Sequence, residues 1–233
     1  MESEINRIFM TMVLSRKKEI VPMIMWLVLF AGIIVLSFIR INNLFGNSND
    51  YPTYLDIIFI VFYLIWMVIE LRVTKKDMIT EEKKTYDFMT CQLYGSGQAI
   101  IILTALWIPS VWRIQSAAHF VGIIISILAA CYRLWAIRTL GRFYSHRVRA
   151  VSKHQIVTSG PYSVIRHPAY AGMLIANAGI SLYFFNVVTV CVFLFILIPA
   201  VILRIIIEEK MLFKIEGYSE YAKSKKRLLP SIW

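Results

Sequence analysis

The sequence predicts an all-α, polytopic integral membrane protein of about six transmembrane helices, including a C-terminal helical hairpin, followed by a cytoplasmic C-terminal helix. Three observations predict it: a composition too apolar for water, apolar blocks of spanning length, and positive charge gathered in alternate loops. Of 233 residues, 58% are hydrophobic and the mean hydropathy is +0.65, well above the soluble average. The lipid bilayer is the natural solvent.

A spanning helix needs about 20 apolar residues, because it rises about 1.5 Å per residue across a hydrocarbon core of about 30 Å. Val21 to Ile39, Tyr54 to Leu71, Gly95 to Trp112 and Ala118 to Ile137 are each of that order. The block Ala169 to Ile207 is roughly twice as long, so it reads as two helices turning near Phe185 and Asn186. The first run lacks a small-x-small cleavage site before its polar flank, Arg40 to Asp50, and is expected to stay as a membrane helix. After the hairpin an amphipathic tail helix is expected from about Glu208 to Lys226.

The net charge of +11 would suggest nucleic acid in a soluble protein, but its distribution decides otherwise. Arg7, Arg16, Lys17 and Lys18 precede the first span; Arg72, Lys75, Lys76, Lys83 and Lys84 follow the second. The segment from Arg138 to Gly172 and the tail, with Lys210, Lys214, Lys223, Lys225, Lys226 and Arg227, are equally basic. The alternate loops hold Arg40 and Arg113, and the hairpin turn holds no cation. With six spans every rich segment falls on one side, which the positive-inside rule makes cytoplasmic, both termini included. A single last span would put the basic tail outside.

Two units are expected: residues 1–117, N-terminal transmembrane helices, and residues 118–233, the working core. In the first, Arg72 to Tyr94 reads as an amphipathic connection, and Glu70 and Asp56, near span ends, read as interfacial and without chemistry. No internal repeat points to an inverted-repeat transporter. Cys91, Cys131 and Cys191 have neither disulfide nor zinc spacing and read as reduced packing residues.

The chemistry concentrates in RTLGRFYSHRVRAVSKHQIVTSGPYSVIRHPAYAG, Arg138 to Gly172, which holds three of the four histidines. Gly160-Pro161 marks a turn, and Pro168 opens the hairpin helix where its missing N–H is already spare. Arg166 and His167 then sit at a helix N-terminus, where free N–H groups and partial positive charge suit an anionic or hydroxyl-rich ligand. A lipid phosphate on Arg166 and a capping role for His167 are the plainer alternative. At the hairpin's other end, Arg204 and Glu208 share a helix face, as a functional pair or as a local ion pair near the interface. A hairpin brings its own ends together, so Arg166, His167 and Tyr170 must lie near Arg204 and Glu208.

HQIVTSGPYSVIRHPAYAG, then the hairpin, then RIIIEEKMLFKIEGYSEYAKSKKRLLPSIW resembles the C-terminal core of the isoprenylcysteine carboxyl methyltransferase family, which is related to membrane phospholipid methyltransferases. The likeness covers roughly Arg138 to Trp233. It implies an integral-membrane enzyme using S-adenosylmethionine and a lipophilic methyl acceptor, with no nucleic-acid partner. By that resemblance the cofactor positions fall on Arg149, His154, Gln155, Ile156, Val157, Tyr162, His167, Pro168, Ala169, Tyr170 and Glu208. Arg204 falls at the acceptor, and with Glu208 forms the catalytic pair; no metal is implied. Three other readings remain: a phospholipid or other small-lipid methyltransferase, an NADPH-dependent reductase similar to the membrane sterol reductases, and a non-catalytic membrane protein or small transporter whose basic loop binds anionic lipid.

Overall fold

The computed structural model describes residues 27–42, 54–79, 90–112, 116–144, 156–230 and 233. Within them the chain is helical: α1 (Leu27–Asn42), α2 (Tyr54–Ile79), α3 (Thr90–Trp107), α4 (Ala117–Leu140), α5 (Pro168–Tyr183), α6 (Val187–Leu212) and a short α7 (Tyr218–Ser224). Two of these, α4 and α6, are long and apolar enough to cross a membrane. Large apolar side chains also face outward along the bundle, among them Val28, Phe38, Ile58, Trp107, Leu128 and Phe195. Such a surface is stable against lipid and not against water.

The helices alternate in direction, and hydrogen bonds label both ends of the bundle. At one end Arg40 of α1 reaches Asp56 at the start of α2 (3.1 Å), and the Tyr183 hydroxyl, at the end of α5, donates to the same carboxylate at 2.7 Å. The loop after α3 closes this end: Val111 N–H donates to the Phe185 carbonyl at 2.7 Å, and the Trp112 indole to the Leu182 carbonyl at 2.9 Å. Asp56 is therefore an internal tie between three helices, not the interfacial bystander expected of it. The opposite end gathers Arg72, the start of α3, the end of α4, and both open ends of the hairpin. These are the positions that adjoin the basic segments.

The hairpin turns at Phe184–Asn186, as its length requires. Asn186 caps α6 by accepting from Thr189 N–H and donates from its own amide to the Phe184 carbonyl. Inside α6 a π turn at Phe193–Leu197 precedes Pro199, whose ring and missing N–H would otherwise disturb the ladder.

Helices α4 and α5 pack most closely, because small residues let their backbones approach. A methyl group added at Gly122 would lie 2.8 Å from the Gly179 carbonyl, and one at Gly172 would lie 2.9 Å from the Ala129 carbonyl. The Ser126 hydroxyl fills the remaining gap, donating to Gly122 and Ala176 carbonyls. This is small-residue packing of the membrane type.

Three element boundaries differ from expectation. Helix α2 runs on to Ile79 and α3 begins at Thr90, so part of the expected Arg72 to Tyr94 connection is helix. Helix α3 stops at Trp107 and not at Trp112, because Pro109 follows. The tail helix expected from Glu208 to Lys226 is two pieces: α6 ends at Leu212, Gly217 takes a left-handed conformation at φ 80°, and α7 follows. The chain after α7 then passes beside the segment before α5, bridging Lys226 to Ile165, with Arg166 N–H donating to the Lys226 carbonyl (2.8 Å) and His167 N–H to that of Arg227 (2.9 Å).

Candidate active site

The first turn of α5 is the centre of the site, and its position follows from local chemistry. Gly160 turns the chain at φ 56°, Pro161 starts a single 3₁₀ turn, and Pro168 begins α5. Tyr170 thereby projects toward α6. Its hydroxyl accepts from Arg204 Nε at 2.7 Å and donates to Glu208 Oε2 at 2.7 Å. The two ends of the hairpin are thus linked through one oxygen, as the spacing of Arg204 and Glu208 on one face anticipates.

Arg204 is 1% exposed. Its Nη1 donates to Thr90 Oγ1 at 3.1 Å, and its guanidinium lies 5.3 Å from the centre of the Tyr94 ring and 6.0 Å from that of Tyr170. Hydrogen bonds and aromatic faces hold a charge that arginine cannot shed. Thr90 and Tyr94 belong to α3, so the N-terminal helices contribute to the site, contrary to the expectation that they carry no chemistry.

A second cluster sits behind the first. Glu209, one residue past Glu208 and on a different face, is 2% exposed and is met by His167 Nε2 (3.2 Å), Arg166 Nη1 (3.0 Å) and Arg227 Nε (2.7 Å). The arginine and histidine of the RHP element therefore turn toward this carboxylate. Sequence reasoning missed Glu209, since an acidic residue at a helix end usually meets water. The signal was the adjacent pair Glu208-Glu209, whose members point about 100° apart on a helix.

A third contact braces the α5 start from the other side. Arg133 of α4, 2% exposed, donates from Nη1 to the Ala169 carbonyl (2.8 Å) and from Nη2 to the Tyr144 hydroxyl (3.2 Å), and it pairs with Glu70 of α2. The Trp66 indole donates to the same Glu70 carboxylate at 3.1 Å. Glu70, like Asp56, is an interhelical tie.

The other expected cofactor positions separate into groups. Arg149, His154 and Gln155 lie outside the described residues. Val157, Tyr162 and Ala169 pack together with Ala136 and Ile137 as an apolar shelf at the end of α4. Pro168 is buried, and Ile156 lies against Gly217, where an added methyl would stand 3.5 Å away. The Tyr221 hydroxyl donates to the Tyr162 carbonyl at 2.7 Å, so α7 closes over this shelf. Burial, reinforced by the Glu208 charge, pushes the Tyr162 hydroxyl up and keeps it neutral. Burial with the Glu209 charge does the same to Tyr218, whose buried hydroxyl has no partner among the described residues.

Fold and site together define a helical protein with an apolar exterior, two helices long and apolar enough to cross a membrane, and a dense, partly buried set of charges at the mouth of a hairpin. Residues 122–214 match the model of the isoprenylcysteine carboxyl methyltransferase (ICMT) family, and this segment carries both the RHPAYAG and the RIIIEE elements. The chain is similar to the probable protein-S-isoprenylcysteine O-methyltransferase of Oryza sativa subsp. indica, at 32% identity over 48% of this chain and 61% of that one. It thus spans less than two thirds of that relative's length. The protein-S-isoprenylcysteine O-methyltransferase of Saccharomyces cerevisiae is 28% identical over 84% of this chain and 83% of its own. A solved structure of the eukaryotic intramembrane Ras methyltransferase ICMT covers 85% of each chain at 19% identity and a TM-score of 0.44, a likeness too distant to place residues.

Proposed function

We propose that this chain is an integral-membrane, S-adenosylmethionine-dependent carboxyl O-methyltransferase whose acceptor is a lipophilic carboxylate of the isoprenylcysteine type. Residues 118–233 form the catalytic core and residues 1–117 support it, with six spans and both termini in the cytoplasm. The family match over 122–214 and the names of the curated relatives support this reading. The observation that carries it is the Arg204–Tyr170–Glu208 chain, which holds a cation and a carboxylate one hydroxyl apart where α5 begins.

The residues fit the methyl donor. Its adenosine needs an apolar shelf with polar neighbours, which Val157, Ala169 and Tyr162 offer; its cationic end needs a carboxylate, which Glu208 offers. The buried Tyr218 hydroxyl, which has no partner among the described residues, adds a donor. When bound, S-adenosylmethionine supplies an electrophilic methyl group on a sulfonium.

The acceptor's carboxylate is already the nucleophile, so the protein has to align two reactants and exclude water, with no strong base required. Arg204 orients that carboxylate with a planar, permanently charged fork. Tyr170 fixes Arg204 relative to Glu208, and Glu208 faces the donor. Low exposure strengthens each of these attractions, because little water screens them.

Calorimetry on the purified chain tests the reading, with S-adenosylmethionine and its demethylated product expected to bind saturably. Transfer of a labelled methyl group to an isoprenylated cysteine then tests the acceptor. Binding of a nicotinamide dinucleotide without either methyl-donor ligand overturns the proposal in favour of a reductase, and transfer to a phospholipid headgroup alone overturns the acceptor.

A further inference from the structure

We propose that the tail of this chain forms a binding site for the phosphate of an anionic phospholipid, apart from the methyl-transfer site. A cavity of about 230 Å³ lies between the segment before α5 and the chain after α7. Five cations line it, Arg166, Lys223, Lys225, Lys226 and Arg227, against one carboxylate, that of Trp233, whose oxygen accepts from the Leu228 and Leu229 N–H groups; the described lining holds no aspartate or glutamate.

The charge behind the cavity does not balance this set. Glu209 meets Arg166 and Arg227 from the bundle side, one negative charge against two positive, and the three lysines add to the excess. Arg166 has a side chain only 9% exposed, and its Nε–H has no partner among the described residues. A desolvated charged donor left without an acceptor is costly, and an anion in the cavity relieves it. Phosphate oxygens suit the combination, since arginine presents a directional fork and lysine a mobile point charge.

Placement favours a lipid over free phosphate. The cavity lies just beyond the last turn of α6, at the end of the bundle where the basic segments meet, which is where a headgroup sits against a juxtamembrane cationic cluster. Trp233 lies 4.9 Å below the Arg227 guanidinium, an arrangement suited to the membrane–water interface.

The test titrates the purified full chain in neutral detergent with dihexanoylphosphatidic acid, dihexanoylphosphatidylcholine and inorganic phosphate, following thermal shift and native mass spectrometry. Saturable binding of the phosphatidic acid is expected, weakening with salt and falling about tenfold in Lys225→Gln/Lys226→Gln. Lys225→Arg/Lys226→Arg should retain binding, which separates lost charge from lost fold. Equal binding of the zwitterionic lipid, or unchanged affinity in the glutamine variant, overturns the site. Inorganic phosphate binding as tightly as the lipid overturns the lipid assignment.

Discussion

Arg133 and Glu70 form a two-point ion pair between α4 and α2, with Nε to Oε1 at 2.6 Å and Nη2 to Oε2 at 3.0 Å. The remaining nitrogen of the same guanidinium holds the Ala169 carbonyl, one residue before Tyr170. Glu70 lies outside the family-matched segment, yet it orients the arginine that positions that segment's site.

Glu70→Gln keeps the shape and removes the charge, leaving Arg133 buried and uncompensated. The expected loss is about 3 kcal/mol, read as a lowered unfolding temperature in detergent. Glu70→Gln/Arg133→Met should recover part of it, because no orphaned charge remains. If the single variant melts like the parent, the pair does not brace the bundle.

Tyr170→Phe removes one oxygen and with it two hydrogen bonds, one to a cation and one to an anion. Each is worth about 1.5–3 kcal/mol, so methyl transfer should fall by about two orders of magnitude while the helical circular dichroism is unchanged. Retained activity would sink the idea that this hydroxyl couples the two ends of the hairpin.

Arg204→Ala and Glu208→Gln should differ in kind. The glutamate variant should bind S-adenosylmethionine more weakly. The arginine variant should keep donor affinity near that of the parent while kcat/KM for the acceptor falls by about 2–5 kcal/mol in transition-state terms. Parallel loss of donor binding, activity and stability in both variants would show an ion-pair scaffold instead.

Glu209→Gln should loosen the tail, since three cationic or protonatable groups lose their shared carboxylate. Limited proteolysis should then cleave after Lys223 or Lys225 faster than in the parent, with cleavage in α4 unchanged. Equal cleavage rates would assign the tail's position to its backbone pairing with residues 165–167 alone.

Topology follows from loop charge. In a background without Cys91, Cys131 and Cys191, a membrane-impermeant maleimide added to intact cells should label Val111→Cys and spare Ser159→Cys. The opposite pattern inverts the orientation.

The hairpin and the meeting of its two ends were legible because both depend on local sequence: an apolar run too long for one span, and charges at its limits. The ties made by Glu70, Asp56, Thr90 and Tyr94 were not, because each partner lies on another helix and no periodicity records which helices will touch. Asp56 meets Tyr183, 127 residues away in sequence. Gly217 could have been read as the break in the tail from the glycine itself, whereas the burial of Glu209 depends on Arg227 folding back.

That fold-back has a consequence for the order of assembly. The α5 start takes backbone partners from Lys226 and Arg227 and a carboxylate from Glu209, all of which leave the ribosome well after His167 does. At about 5–20 residues per second, the hairpin waits on the order of seconds in the bilayer with its site incomplete. A nascent chain stalled before Lys226 should therefore carry the hairpin without these partners, and the α5 start should gain them together once Arg227 has been made.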